Sequence, residues 1–300
     1  MERYLATIGF FDGVHKGHQF LLSQLCAAAR RCGLKPAVVS FAQHPRKVLH
    51  PSFQPELLTT CGEKVELLQG LGVDKCLMLD FTPALAALSA KDFMRLLKEE
   101  HGVQGLLIGY DHRFGHDRSE GFEDYLRHGA ELDMVLLQAQ PYYDAQGQVV
   151  SSSRIRKLLK EGDVAEANAC LGHRYTLQGQ VVHGHQVGRS IGFPTANLQV
   201  DDADKLIPAD GVYAVRVQVD DRLWGGMLSI GKRPTLDNGD DRSIEVHIFG
   251  FDGDLYGKNV RVTLWLRTRD EVRFHSTDEL VTQLRKDKEN IEELLNNAEL

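Results

Sequence analysis

The stretch Leu5-Ala6-Thr7-Ile8-Gly9-Phe10-Phe11-Asp12-Gly13-Val14-His15-Lys16-Gly17-His18 decides the first fold assignment. Its apolar start, Leu5 to Ile8, reads as a short buried strand closed by Gly9. Phe20, Leu21, Leu22 and Leu25 then recur at helical intervals. A strand, a tight glycine turn and a helix N-terminus in succession suit an anionic phosphate chain, because backbone N–H groups and the helix dipole point at it. His15 and His18 can add side-chain donors, and Gly17 admits a close backbone approach. The stretch holds no obvious protein nucleophile. A site built only of donors suits a reaction in which one phosphate oxygen attacks another phosphorus while the protein positions the groups and offsets their charge.

Outward from this stretch, short apolar runs alternate with helical patterns, as expected of a parallel sheet with crossover helices. Ala37–Phe41, Lys75–Leu79, Leu106–Ile108 and Met134–Leu137 read as further strands, with helices over Glu63–Leu71 and Ala90–Glu99. Ligands of such sheets bind at the carboxyl ends of the strands, where the first motif stands. A single helical stretch is expected over Ser153–Leu171, ending near Gly172. Beyond it the period changes to two, in Leu177–Val182, Val212–Val219, Ile244–Phe249 and Val260–Leu266. Turns rich in Asp and Gly, at Asp220-Asp221 and Asp252-Gly253-Asp254, separate several of these runs. This pattern predicts a small antiparallel barrel or sandwich. Ser276-Thr277-Asp278-Glu279 reads as a capping box, followed by Leu280, Leu284, Ile291 and Leu295 on one face of a C-terminal helix.

A length of 300 residues favours two domains. The composition, 42% hydrophobic and 26% charged, is that of a soluble globular chain, and the net charge of −7 argues against a general nucleic-acid binder. Cys26, Cys32, Cys61, Cys76 and Cys170 show no C-x-x-C spacing and are odd in number, which fits a reducing compartment. No leader pattern and no run of membrane-spanning length is present, so a cytoplasmic location and no membrane partner are expected.

The second motif is Gly184-His185-Gln186-Val187-Gly188-Arg189-Ser190-Ile191-Gly192-Phe193-Pro194-Thr195-Ala196-Asn197. Three glycines at intervals of four leave a loop with little bulk, able to fold over phosphates. Pro194 stiffens its exit, and the side-chain oxygens of Thr195 and Asn197 are hard ligands suited to Mg²⁺. Downstream, Ser243–Phe249 alternates as a strand, with Glu245, His247 and Phe249 on one face and Ile244, Val246 and Ile248 on the other. Glu245 is thus a carboxylate on a rigid element, able to accept a proton from a substrate hydroxyl.

The string G-x-F-D-G-x-H-x-G-H, from Gly9 to His18, resembles the FMN adenylyltransferase branch of the nucleotidyltransferase superfamily. The resemblance implies catalytic roles for His15 and His18 and ATP or phosphate contacts for Gly9, Phe11 and Gly17. Ser151-Ser152-Ser153-Arg154-Ile155-Arg156 resembles the S-S-T-x-I-R motif of that family, with Ser153 in place of Thr. It implies phosphate contacts for Ser152 and Ser153, and neutralisation of departing pyrophosphate by Arg156. Gly109–Gly115 resembles the flavin-holding G-x-D/N-F-x-F-G segment, pointing to Asp111 and Phe114, with His112 where a Phe is usual. Phe41–Pro45 resembles F-E-P-H-P but departs at Ala42 and Gln43. Its His44 either contacts ATP or the flavin phosphate, or fixes a turn. The second motif resembles the riboflavin kinase signature and implies phosphate contacts for Gly184, Gly188, Arg189 and Gly192. In that family the catalytic carboxylate stands where Glu245 stands. Arg269–Phe274 resembles the R-x-E-x-K-F stretch bordering the flavin, with Arg273 for Lys, so Arg269 either contacts flavin or closes a strand-end ion pair.

The order of these motifs is that of prokaryotic FAD synthetases. The expected architecture is an α/β Rossmann-like nucleotidyltransferase domain with a parallel sheet over 1–172, then a small antiparallel β-barrel kinase domain with a C-terminal helix over 173–300. The resemblance implies a bifunctional transferase of FMN and FAD biosynthesis. It would phosphorylate riboflavin with ATP to FMN, then adenylylate FMN with ATP to FAD and pyrophosphate, with Mg²⁺ as cofactor. Two alternatives remain at this level: a riboflavin kinase whose first module has degenerated at Ala42, Gln43 and His112, and a non-enzymatic flavin sensor. Oligomeric state is open.

Overall fold

The computed structural model describes residues 2–50, 52–116, 119–184, 187–232 and 242–297. The chain divides into two compact units, Met1–Ser152 and Ser153–Leu300.

In the first unit, five parallel strands lie in the order β3 (Lys75–Leu79), β2 (Lys35–Phe41), β1 (Tyr4–Ile8), β4 (Val103–Ile108), β5 (Val135–Gln138). The crossovers carry α1 (Lys16–Arg31), α2 (Pro45–Leu49), α3 (Cys61–Gly70), α4 (Pro83–Ala86), α5 (Ala90–His101) and α6 (Phe122–Glu131). Strand order reverses between β1 and β4, so the loop after β1 opens at the topological switch point. β1 is buried along its whole length because helices cover both faces of the sheet. One core layer joins Tyr4, Ala6 and Ile8 to Phe93, Met94 and Leu97 of α5, and the other joins Leu5 and Val38 to Leu22 and Leu25 of α1. Phe20, at a helical interval in the sequence, is instead exposed.

The expected single helix after Ser153 is two: α7 (Ser152–Glu161) and α8 (Val164–Leu171). Gly162, at φ +83°, ends the first, and the Asp163 carboxylate caps the second by accepting from Glu166 N at 3.0 Å. Gly172, also left-handed, closes α8.

The second unit is a closed barrel in the order β10 (Arg242–Ile248), β7 (Ala196–Val200), β6 (Thr176–Val182), β11 (Asn259–Arg269), β8 (Gly211–Val219), β9 (Arg222–Lys232). Closure leaves no free sheet edge. One helical turn, α9 (Val187–Ser190), stands inside the second motif, which is therefore not loop throughout. The helix α10 (Thr277–Asn297) lays Ile291 and Leu295 on Val212, Ala214 and Met227. That cover explains why β8 reads as an almost unbroken apolar run. At its start, Ser276 Oγ accepts from Glu279 N at 3.2 Å, while the Glu279 carboxylate accepts from His275 N at 3.0 Å, one residue earlier than in the expected capping box.

Two barrel strands escaped the period-2 reading. β7 begins at the last two residues of the second motif and runs past it. β9 carries Gly225, Gly226 and Gly231, which look like turn residues in sequence. Neighbours approach two of them closely: a Cβ at Gly226 would stand 3.0 Å from the His247 carbonyl, and one at Gly231 would stand 2.0 Å from Glu271 Oε1, the end of a side chain that would have to move.

Candidate active sites

The first motif is held by unusual backbone geometry. Phe11, Gly13 and Val14 all have positive φ, at 55°, 79° and 39°. Such conformations persist only where surrounding contacts fix them. Here Asp12, 3% exposed, supplies the anchor. Its carboxylate accepts from Leu58 N at 2.9 Å and Thr59 N at 3.1 Å, and Gly13 N donates to Thr59 Oγ1 at 3.0 Å. Ser152 Oγ donates to the Asp12 carbonyl at 2.9 Å, so the first residue of α7 is tied to the same loop. A Cβ at Gly9 would stand 2.9 Å from the Phe11 ring, and one at Gly17 3.2 Å from the His15 ring.

His15 is the residue preceding α1, and His18 lies in that helix's first turn. Their rings stack at 3.6 Å with an interplanar angle of 19°. Burial, then His15 and Lys64 nearby, hold the His18 imidazole well below the usual histidine range. Its buried Nδ1 has no hydrogen-bond partner among the described residues. His18 is thus a neutral ring that can offer one N–H, and the helix N-terminus beside it offers backbone N–H groups.

A cavity of about 300 Å³ opens at the carboxyl ends of the strands. Gly9, Phe10, Phe41, His44, Phe81 and Phe114 are among its walls. Phe114 stacks on Tyr125 at 4.3 Å, and the Tyr125 hydroxyl donates to the Phe114 carbonyl at 3.1 Å. Asp111 is exposed and outside the lining, whereas His112 lies within it. His44 does fix a turn, its Nδ1 accepting from Arg46 N at 3.1 Å at the start of α2, and it also faces the cavity. Ser153 and Arg156 follow Ser152 along α7.

In the barrel the second motif meets β10. Glu245 stands opposite Asn197 of β7 on one side and Ser229 of β9 on the other. Cross-strand partners share a face, so Asn197, Glu245 and Ser229 form one row. Thr195 Oγ1 donates to Glu245 Oε2 at 3.0 Å. Two glycines of the motif have packing reasons: a Cβ at Gly188 would lie 2.2 Å from the Phe193 carbonyl, and one at Gly184 would lie 2.1 Å from Asn197 Nδ2. Gly192 adopts φ +82°. The side chain of Arg189, like the residues 185 and 186, lies outside what the structure describes. A cavity of about 560 Å³ is bordered by Thr195, Ala196, Val246, Asp252 and Tyr256, so Thr195 borders the cavity, whereas Asn197, Glu245 and Ser229 are not among its walls.

Four supporting side chains had no functional assignment from the sequence. His247 Nδ1 donates to the Pro194 carbonyl at 2.8 Å, and burial lowers its pKa, so a neutral imidazole pins the Pro194-Thr195 segment to β10. The alternation that places His247 on the face of Glu245 was its only signal. Ser229 Oγ donates to Glu271 Oε1 at 3.3 Å, and burial pushes the Glu271 carboxyl upward. The fourth is Lys64, whose position on the apolar face of α3, four residues before Leu68, was a readable anomaly. Arg269 closes the strand-end ion pair: Nη2 donates to Asp287 Oδ2 at 2.7 Å and Nε to Asp287 Oδ1 at 3.1 Å.

A doubly wound unit with a glycine turn and helix N-terminus at its switch point, followed by a closed barrel that aligns Asn197, Glu245 and Ser229, defines a two-module class of nucleotide-handling protein. The FAD synthetase family profile matches residues 1–154 and the riboflavin kinase profile residues 171–295. A Pseudomonas fluorescens bifunctional riboflavin kinase/FMN adenylyltransferase is 37% identical over 94% of this chain and 90% of its own length. The protein of the same name from Listeria monocytogenes is 35% identical over 94% and 90%. A Streptococcus pneumoniae crystal structure described as a macrolide-efflux protein superposes with a TM-score of 0.88 and 36% identity, covering 96% of this chain and 93% of that one. The chain belongs to the bifunctional riboflavin kinase/FMN adenylyltransferase family, with both modules present. Among the described residues no helix is long and apolar enough to cross a membrane.

Proposed function

We propose that the row around Glu245 carries the kinase chemistry and the His15–His18 turn the adenylylation chemistry. Together they convert riboflavin to FMN and FMN to FAD. The observation that carries the bifunctional reading is the pair of family matches, one on each module. The functional boundary falls at about 172/173, with α7 and α8 between the matched segments.

In the barrel, Glu245 takes the proton of the terminal ribityl hydroxyl as that oxygen attacks the γ-phosphorus of ATP and ADP departs. Thr195 orients the carboxylate through its 3.0 Å hydrogen bond. Thr195 Oγ1, Asn197 Oδ1 and the Glu245 carboxylate form an all-oxygen donor set that fits a hard cation, with the Asn197 amide seated where a Cβ at Gly184 would stand. Thr195 and Asn197 would hold Mg²⁺, which supplies charge neutralisation at the phosphates when bound. Gly184, Gly188, Arg189 and Gly192 form the cover over those phosphates. Arg269, engaged by Asp287, shapes the segment that borders the flavin.

In the first unit, an oxygen of the FMN phosphate attacks the α-phosphorus of a second ATP and pyrophosphate leaves. His15, His18 and the backbone around Gly9, Phe11 and Gly17 donate to the phosphate chain. Ser152, Ser153 and Arg156 receive the pyrophosphate. The aromatic cavity at Phe114 takes the flavin ring, with Asp111 at its approach.

Incubation with riboflavin, ATP and Mg²⁺ and chromatographic separation of flavins over time tests this directly. FMN should appear first and FAD follow; FMN accumulating without FAD would remove the adenylylation assignment, and no FMN at all would remove the kinase assignment.

A further inference from the structure

Lys64 is 2% exposed, an extreme position for a lysine. From α3 its Nζ donates to the Phe10 carbonyl at 3.0 Å and the Phe41 carbonyl at 3.3 Å. The same ammonium sits 3.9 Å from the centroid of the Phe10 ring. These carbonyls belong to the residues just after β1 and at the end of β2, where the first motif and the His44 turn begin. Phe10 and Phe41 also wall the aromatic cavity. No carboxylate lies within salt-bridge distance of Lys64 among the described residues, so its charge is not cancelled by contact.

Holding an ammonium there is costly. Burial pushes its pKa down to about 8, although Asp12 in the motif loop and the thiols of Cys61 and Cys76 pull it upward. His18 of α1 is the other titratable group that senses it. The protonated form is therefore disfavoured by folding, and between pH 8 and the unfolded value the fold gains stability as the proton leaves. An apolar side chain would fill this place at lower cost, as replacement of buried charges generally shows. The His18 ring cannot supply a cation there, because burial holds it neutral. A buried, uncancelled charge beneath an anion-suited turn is complementary to a polyphosphate.

We propose that Lys64 is a positioning residue of the adenylylation site: it ties the ends of β1 and β2 through Phe10 and Phe41, and its charge draws a nucleotide polyphosphate onto the turn at α1. The inference rests on the adenylylation reading above. It predicts that ATP affinity in the FMN-to-FAD step depends on the protonation of Lys64.

The test begins with the intact wild-type chain, FMN, ATP and Mg²⁺. If no FAD forms, it is the adenylylation reading that fails, before Lys64 is tested. With FAD formed, KM for ATP in this step should rise as pH goes above about 8, whereas a KM flat from pH 7 to 9.5 would overturn the proposal. Lys64→Met should raise that KM tenfold or more at pH 7, with riboflavin phosphorylation unchanged as an internal control of the purified chain. Lys64→Arg, whose charge does not titrate in this range, should recover most of the affinity and lose the alkaline limb. A limb retained in Lys64→Arg would assign it to Cys61 or Cys76 and overturn the inference. So would a Lys64→Met chain with wild-type KM.

Discussion

The two units reach phosphate chemistry by opposite routes. In the parallel sheet, the proposed site is a turn beyond the strand ends, built from backbone N–H groups, the stacked His15 and His18 rings and a strained loop that Asp12 holds in place. In the barrel, the proposed site is a row of side chains on the strands themselves, Asn197, Glu245 and Ser229, whose alignment antiparallel register fixes. A turn site depends on distant anchors, while a strand site depends on period and pairing. Reactions with no proton to abstract fit the first design, and a reaction that must deprotonate a hydroxyl fits the second.

The sharpest structural break should come at Asp287. Asp287→Ala leaves the Arg269 guanidinium without its bidentate partner and should destabilise the barrel by about 3 kcal/mol, read by thermal or urea unfolding, while adenylylation of supplied FMN persists. His18→Ala should lower FAD formation from FMN about 10²-fold, the usual effect of removing one transition-state donor. Riboflavin phosphorylation by that variant should stay at its wild-type rate. Normal FAD formation would strike His18 from the site. Gly188→Ala forces a Cβ against the Phe193 carbonyl and should cost about 1–3 kcal/mol locally, seen as a raised KM for ATP in the kinase step alone. The smallest effect is expected at Asp163→Ala, which removes the α8 cap and should cost about 1 kcal/mol of stability without changing either activity's KM.

The same contrast governs what the sequence disclosed. Period and flanking glycine were enough for β1 to β5, for β6, β8, β10 and β11, and for α10. Glu245 was legible because alternation set its face. β9 was hidden, since its glycines read as turn residues while their close neighbours, Glu271 and the His247 carbonyl, are far away in sequence. The break at Gly162-Asp163 was present as a glycine followed by a capping residue, but the apolar spacing ran across it. Lys64 and Asp12 stayed without a role because their meaning lies in buried contacts with Phe10, Phe41, Leu58 and Thr59, which no local spacing encodes. His247 had a face but no partner until the Pro194 carbonyl was found beside it.

If two separate sites act in series on one chain, Glu245→Gln should disable one and spare the other. The variant is given riboflavin with ATP in one reaction and FMN with ATP in another, and flavins are separated over time. Loss of the general base should slow FMN formation by about 10²–10⁴-fold, while FAD forms from supplied FMN at the wild-type rate. Loss of both conversions in a folded protein would contradict the separation of the two sites, and unchanged FMN formation would contradict the role of Glu245.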